Sequence, residues 1–213
     1  MALLYDLLPR RDEVARLDGL LLDARQPEFI RTPDFTIAQY LTADAVAAAL
    51  DRSAEIISSY IDERTIILCN LNGALWFTAQ TLDRLSILRK NVSFQPQLRF
   101  IKVTSTASLM TRGIPLVVRW FDNPGEVAGR KVVIFEDIID TGETLVAITN
   151  VISQFKPGEV STFALFEKDG THKTFAVDHS VLHIENKFVF GSGLDDSKDY
   201  GRDAPGLWEI VPK

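Results

Sequence analysis

Val132-Val133-Ile134-Phe135-Glu136-Asp137-Ile138-Ile139-Asp140-Thr141-Gly142-Glu143-Thr144 is the stretch that decides how this chain is read. It starts as an unbroken apolar strand, the pattern of a parallel strand covered on both faces. Glu136 and Asp137 follow at the strand's C-terminal end, then a short segment of Asp, Thr and Gly, then a helix. In that helix Leu145, Ile148, Ile152 and Phe155 recur at spacings of three and four, so they share one face. Lys156-Pro157-Gly158 stops it. The N-terminus of a helix offers unpaired N–H groups and a positive dipole end, which suits it to a phosphate. Gly142 lets the backbone approach such a ligand, and Thr141 and Thr144 add hydroxyl donors. Glu136 and Asp137 can accept from sugar hydroxyls or from waters on a hard cation. Open α/β sheets bind ligands beyond the carboxyl ends of their strands, where this loop falls.

Composition sets the frame around that loop. A chain of 213 residues suits one α/β domain with a small lobe, and 46% apolar residues can bury a sizeable core. No apolar run approaches the roughly 18 residues that span a bilayer. Met1-Ala2-Leu3-Leu4-Tyr5-Asp6 lacks the basic lead of a secretion signal, so a cytoplasmic protein is expected, without a membrane partner. The single cysteine, Cys69, lies in an apolar strand and reads as a core residue, not a nucleophile. A net charge of −6 argues against a nucleic-acid partner. His172, His179 and His183 lack partners in ligand register, so no metal role is assigned to them.

Along the chain, Leu3, Leu4, Leu7 and Leu8 suggest a short first helix within an otherwise unassigned segment, 1–33. Thr42 caps a helix running to about Ile61, with Val46, Leu50, Ile57 and Ile61 on its buried face. A second buried strand, Thr65 to Leu71, meets Asn72-Gly73-Ala74 and a helix containing Leu75, Ala79, Leu82 and Leu85. This second strand–Gly loop–helix unit can grip a second phosphate group. A third strand covers Gln97 to Val103, and Thr104 to Arg112 reads as a mobile loop before a strand at Pro115 to Trp120. Further strands are expected at Ser161 to Phe166, near Ser180 to Glu185, from Lys187 and at Trp208 to Val211.

The thirteen-residue run resembles the phosphoribosyl-diphosphate (PRPP) motif of type I phosphoribosyltransferases, and its Glu136–Gly142 core looks most like the hypoxanthine-guanine branch. The resemblance extends over most of the chain, in order. It implies an α/β type I phosphoribosyltransferase fold: a central, mostly parallel sheet flanked by helices, with a small hood lobe. The whole chain reads as a single domain, with its core at about 40–168 and its hood at about 169–213, to which the N-terminal segment is a further candidate. Asn72-Gly73 takes the place of a loop that contacts pyrophosphate, often through a cis peptide. The family's basic residue is replaced there by Asn72. Ser105-Thr106 stands where the lid usually carries Ser-Tyr.

The resemblance also assigns roles. Asp140 is the general base at the purine ring. Glu136, Asp137, Asp140, Thr141, Gly142, Glu143, Thr144, Asn72, Gly73 and Arg202 bind PRPP. Lys168 donates to the base's exocyclic oxygen, Phe188 stacks on the base, and Val189 meets its edge through the backbone. Glu136, Asp137 and Asp195 hold magnesium. The implied reaction is magnesium-dependent transfer of phosphoribosyl from PRPP to a 6-oxopurine, hypoxanthine or guanine, releasing pyrophosphate in purine salvage. A lysine donates to a 6-oxo group but cannot accept from a 6-amino group, which disfavours adenine. The departures at Asn72 and Thr106 keep a second reading open: a PRPP-binding regulatory or specialised relative with another base or weak catalysis. A homodimer or homotetramer is implied by the same resemblance.

Overall fold

The computed structural model describes residues 30–31, 35–89, 96–105, 116–196 and 201–212. The expected first helix and the lid from Thr106 onward lie outside them. The chain divides into two units, 48–186 and a smaller one made of 1–47 with 187–213.

Among the described residues, the larger unit is built on six strands: β3 (Ile66–Leu71), β4 (Gln97–Ser105), β5 (Leu116–Trp120), β6 (Lys131–Ile139), β7 (Glu159–Lys168) and β8 (His179–Ile184), in spatial order β5-β4-β3-β6-β7-β8. All neighbours run parallel except the β4–β5 edge pair, which is antiparallel. The helices are α1 (Ala43–Tyr60), which begins in the other unit, α2 (Ala74–Leu88) and α3 (Glu143–Ser153). The expected mostly parallel sheet with flanking helices is therefore present. The central strands are apolar throughout because both faces are covered. Ile66, Leu68, Val132, Ile134, Leu145 and Ile148 meet in one cluster, each fully buried. The rings of Phe77, Phe135 and Phe163 stack together, with centroids 5.1 to 5.9 Å apart. Cys69 is buried here as expected.

Helix α1 follows its sequence pattern. The Thr42 hydroxyl accepts from the Ala45 N–H at 3.2 Å, and Val46, Leu50, Ile57 and Ile61 are all buried. Helix α2 departs from it. Of Leu75, Ala79, Leu82 and Leu85 only Leu85 is buried, and the inward face carries Ala74, Phe77, Thr78 and Thr81. The Thr81 hydroxyl is partnered by Ser53, 2.9 Å away, so a polar residue can face the core at low cost. Thr104 and Ser105 extend β4 and pair with β5, so the loop expected from Thr104 starts later. Strand β6 also runs on through the two acids, with Glu136 opposite Ala164 and Ile138 opposite Phe166.

The smaller unit carries an antiparallel sheet, in order β1 (Ile30–Arg31), β2 (Phe35–Leu41), β10 (Leu207–Pro212) and β9 (Val189–Phe190). Ile37 and Trp208 form its centre, with Phe190, Ala204 and Ile210 packed against them. Strand β2 was not anticipated from the sequence.

Candidate active site

Glu136 and Asp137 occupy consecutive positions on β6, and their carboxyl groups interact with each other. Glu136 is 6% exposed. Its carboxylate oxygens accept from the Asn70 amide at 2.9 and 3.2 Å, while the Asn70 carbonyl oxygen accepts from the Val103 N–H at 3.3 Å. Burial, reinforced by the neighbouring Asp137 charge, pushes the Glu136 carboxyl well above the usual carboxylate range. Asp137 accepts from the Ile138 N–H at 2.8 Å, and its carboxylate lies against Gly73 so closely that a Cβ there would collide with it. Gly73 opens α2 directly after the Leu71–Asn72 peptide, which is cis as expected. Asn72 is exposed, and Lys102, on the adjacent strand, places its Nζ 3.5 Å from the Asn72 Oδ1. A cation is thus present at this loop although the loop residue itself is neutral.

After β6 the chain turns through Asp140 and Thr141 into α3. Gly142 adopts φ 86°, a left-handed conformation that other residues seldom take. A Cβ at Gly142 would also lie 2.9 Å from that of Phe175. The Thr141 hydroxyl sits 3.5 Å from the Glu143 N–H, and Thr144 is half-buried in the first helical turn. The end of β7 meets this loop. Lys168, 14% exposed, donates to the Asp140 carboxylate at 2.9 Å. The segment after β7 then folds back over the loop. Thr171 and Lys173 both donate to the Asp140 carbonyl, and the Thr174 N–H and hydroxyl both donate to that of Thr141. None of these three was anticipated, because their acceptors are main-chain carbonyls, which residue type does not encode. Asn70 was missed as well, hidden within an apolar strand.

The structure therefore joins Asp140 to Lys168, Asp137 to Gly73, and Glu136 to Asn70. Within the smaller unit, Arg202 donates to the Gly193 carbonyl at 2.7 Å and pairs with Asp195 at 3.2 Å. Phe188 is 46% exposed there, whereas Val189 is buried and pairs with Glu209 across β9 and β10.

Chemically, the larger unit offers a helix N-terminus behind a glycine turn, adjacent acids, and an acid–lysine pair able to share a proton-bearing ring. Among the described residues no three or more His, Cys, Asp or Glu gather into a metal cage. No helix among them is long and apolar enough to cross a membrane.

A family model described as the phosphoribosyl transferase domain matches residues 36–197. The hypoxanthine-guanine-xanthine phosphoribosyltransferase of Tritrichomonas foetus is 29% identical over 150 residues, covering 70% of this chain and 77% of that protein. The hypoxanthine-guanine phosphoribosyltransferase of Streptococcus thermophilus is 26% identical over 159 residues, covering 74% and 83%. A solved hypoxanthine-guanine-xanthine phosphoribosyltransferase superposes with a TM-score of 0.66 at 24% identity, over 82% of this chain and 96% of the other.

Proposed function

The chain belongs to the phosphoribosyl transferase domain family, and from that premise we propose that it transfers phosphoribosyl from PRPP to a 6-oxopurine such as hypoxanthine or guanine, releasing pyrophosphate in purine salvage. The observation that carries this reading is the Asp140–Lys168 pair at 2.9 Å, set beside the Thr141–Thr144 turn. Relatives named for hypoxanthine and guanine support the choice of base.

In this reading the 5-phosphate of PRPP sits on the N-terminus of α3, held by N–H groups of residues 141–144 and by the Thr141 and Thr144 hydroxyls. Asp137 accepts from ribose hydroxyls. Glu136, buried against the Asn70 amide, fixes the strand end that carries Asp137. The cis turn at Asn72-Gly73 receives pyrophosphate through its N–H groups, with Lys102 supplying the positive charge that Asn72 lacks. Lys168 donates to the 6-oxo group. As the bond from C1 of the ribose to the pyrophosphate oxygen breaks, a purine ring nitrogen bonds to C1, and Asp140 takes or holds the ring proton. Phe188 is assigned stacking on the base, Val189 a backbone contact to its edge, and Arg202 pyrophosphate. The smaller unit is read as the hood.

Magnesium is the proposed cofactor, with Asp137 and Glu136 on β6 as candidate protein-side oxygens, and Asp195 named for it by the resemblance alone. The fit rests on the donor set. Glu136 and Asp137 set carboxylate oxygens at consecutive positions of one strand end, and hard oxygen donors suit a hard cation. With so few protein ligands, the ion suited here keeps waters and substrate oxygens. When bound, it would offset the charge of the leaving pyrophosphate. A cytoplasmic homodimer or homotetramer completes the proposal.

The test is a product assay with PRPP, magnesium and, separately, hypoxanthine, guanine, xanthine or adenine, following nucleotide and pyrophosphate. Nucleotide from a 6-oxopurine is expected. PRPP binding without any product would instead favour the regulatory relative.

A further inference from the structure

The segment between β7 and β8 makes more contacts with the reacting loops than a connection needs. Lys173 is three-quarters buried, and its ammonium donates to the Lys168 carbonyl at 2.6 Å and the Asp140 carbonyl at 2.8 Å. It also reaches the Ile139 carbonyl at 3.4 Å and lies 3.8 Å from the Glu167 carboxylate. The Thr171 hydroxyl bridges the same two carbonyls, at 2.7 Å to Asp140 and 3.3 Å to Lys168. Two side chains of one short segment thus converge on the main chain of the two residues whose side chains form the acid–lysine pair. A third residue, Thr174, holds the next carbonyl along, that of Thr141.

The β6–β7 register ends at Ile139 with Glu167, so Asp140 lies beyond the strand ladder, whereas Lys168 is still paired with Ile184 of β8, and the strands alone do not fix Asp140 against Lys168. We propose that Lys173 is a positioning residue for the Asp140–Lys168 pair: its ammonium draws the two carbonyls to one point and thereby sets the separation of the side chains that branch from the same residues. The ammonium suits this work because it carries three donors and no acceptor, and carbonyl oxygens converging on one point need positive charge between them. Thr171 is the weaker partner in the same task. The proposal rests on the transferase reading for its kinetic consequence, but the tie itself does not.

The experiment compares wild type with Lys173→Met and Lys173→Arg, with Thr171→Val as a second route to the same carbonyls. Backbone hydrogen–deuterium exchange comes first, because it needs no substrate. In Lys173→Met, exchange is expected to quicken in peptides covering 139–144 and 169–175, while the Thr174 N–H, held by the Thr141 carbonyl, and β3 are unchanged. Turnover per folded molecule is expected to fall roughly ten- to a hundredfold, the scale of a misplaced reacting group. KM for the base is expected to rise, with KM for PRPP little changed because Thr174 still holds Thr141. Lys173→Arg, which keeps a charged donor, should recover most of the loss. A loop anchor of purely structural effect would lower the melting temperature but leave kcat and the base KM intact, and that result overturns the proposal. So does unchanged exchange in Lys173→Met. If wild type makes no nucleotide with any base, the transferase reading has failed, and the exchange comparison alone decides whether the tie exists.

Discussion

Replacing Gly73 by Ala isolates the contact on which the two candidate phosphate loops depend. The backbone there is ordinary helical, φ −58° and ψ −55°, so alanine meets no conformational barrier. The obstacle is the Asp137 carboxylate, which occupies the space of the new methyl group. Asp137 can yield only by rotating, and rotation surrenders the 2.8 Å hydrogen bond from the Ile138 N–H. Hydrogen bonds to charged groups contribute about 1.5–3 kcal/mol, so Gly73→Ala should destabilise the protein by that amount. If PRPP needs Asp137 in its present rotamer, the same energy weakens PRPP binding by roughly ten- to a hundredfold. The assay is a double-mutant cycle with Asp137→Ala, read by urea unfolding and by calorimetric PRPP titration. In the Asp137→Ala background the extra methyl should be nearly neutral. Equal costs for Gly73→Ala in both backgrounds, within about 0.5 kcal/mol, would falsify the reasoning.

Other consequences can be checked alongside. Asp140→Asn should lower turnover by roughly a hundredfold or more, the scale of a general base, and near-normal turnover would remove that role. Lys102→Met should raise the pyrophosphate KM of the reverse reaction by roughly fivefold, equivalent to about 1 kcal/mol for an exposed charge contact; no change would return the loop to backbone contacts alone. Burial pushes the Cys69 thiol up to about 11 from an ordinary 9.0. The folded chain then keeps this proton after the unfolded chain has lost it, so stability should fall as pH rises from about 9 towards 11, by at most about 1.4 kcal/mol per pH unit from this group. Cys69→Ala should flatten that slope, and the native thiol should resist a disulfide reagent at pH about 8 until the protein is unfolded.

Much of this architecture can be read in the chain because its signals are local. The apolar run before Glu136, the Thr42 cap and the four-residue recurrence of Val46 and Leu50 each depend on neighbours a few positions apart. Strand β2 escaped because its longer pairing is with β10, at the other end of the chain, which leaves no local trace, and only the two-residue β1 pairs with it nearby. The inward face of α2 misled because Thr78 and Thr81 replace the leucines that hydrophobicity would choose. At the site, Glu136, Asp137 and Asp140 declare themselves by charge at a strand end. Their supports do not: Asn70 looks like an interruption of a strand, and Thr171, Lys173 and Thr174 look like a solvated loop.

The Asp140–Lys168 pair has one more implication, for what the protein does while it waits. Each group already satisfies the other at 2.9 Å, so the free protein is its own competitor for a base. If Asp140 and Lys168 receive the base as proposed, an incoming ring must displace that internal partner before it gains anything, and apparent affinity is reduced by the fraction of molecules still closed on themselves. A base with both a ring N–H for Asp140 and an exocyclic oxygen for Lys168 replaces both halves of what it breaks. A base with a 6-amino group repays Asp140 alone and strands the ammonium. On the proposed function, the resting contact would thus work as a filter, set by what a ligand must give back rather than by the shape of a pocket.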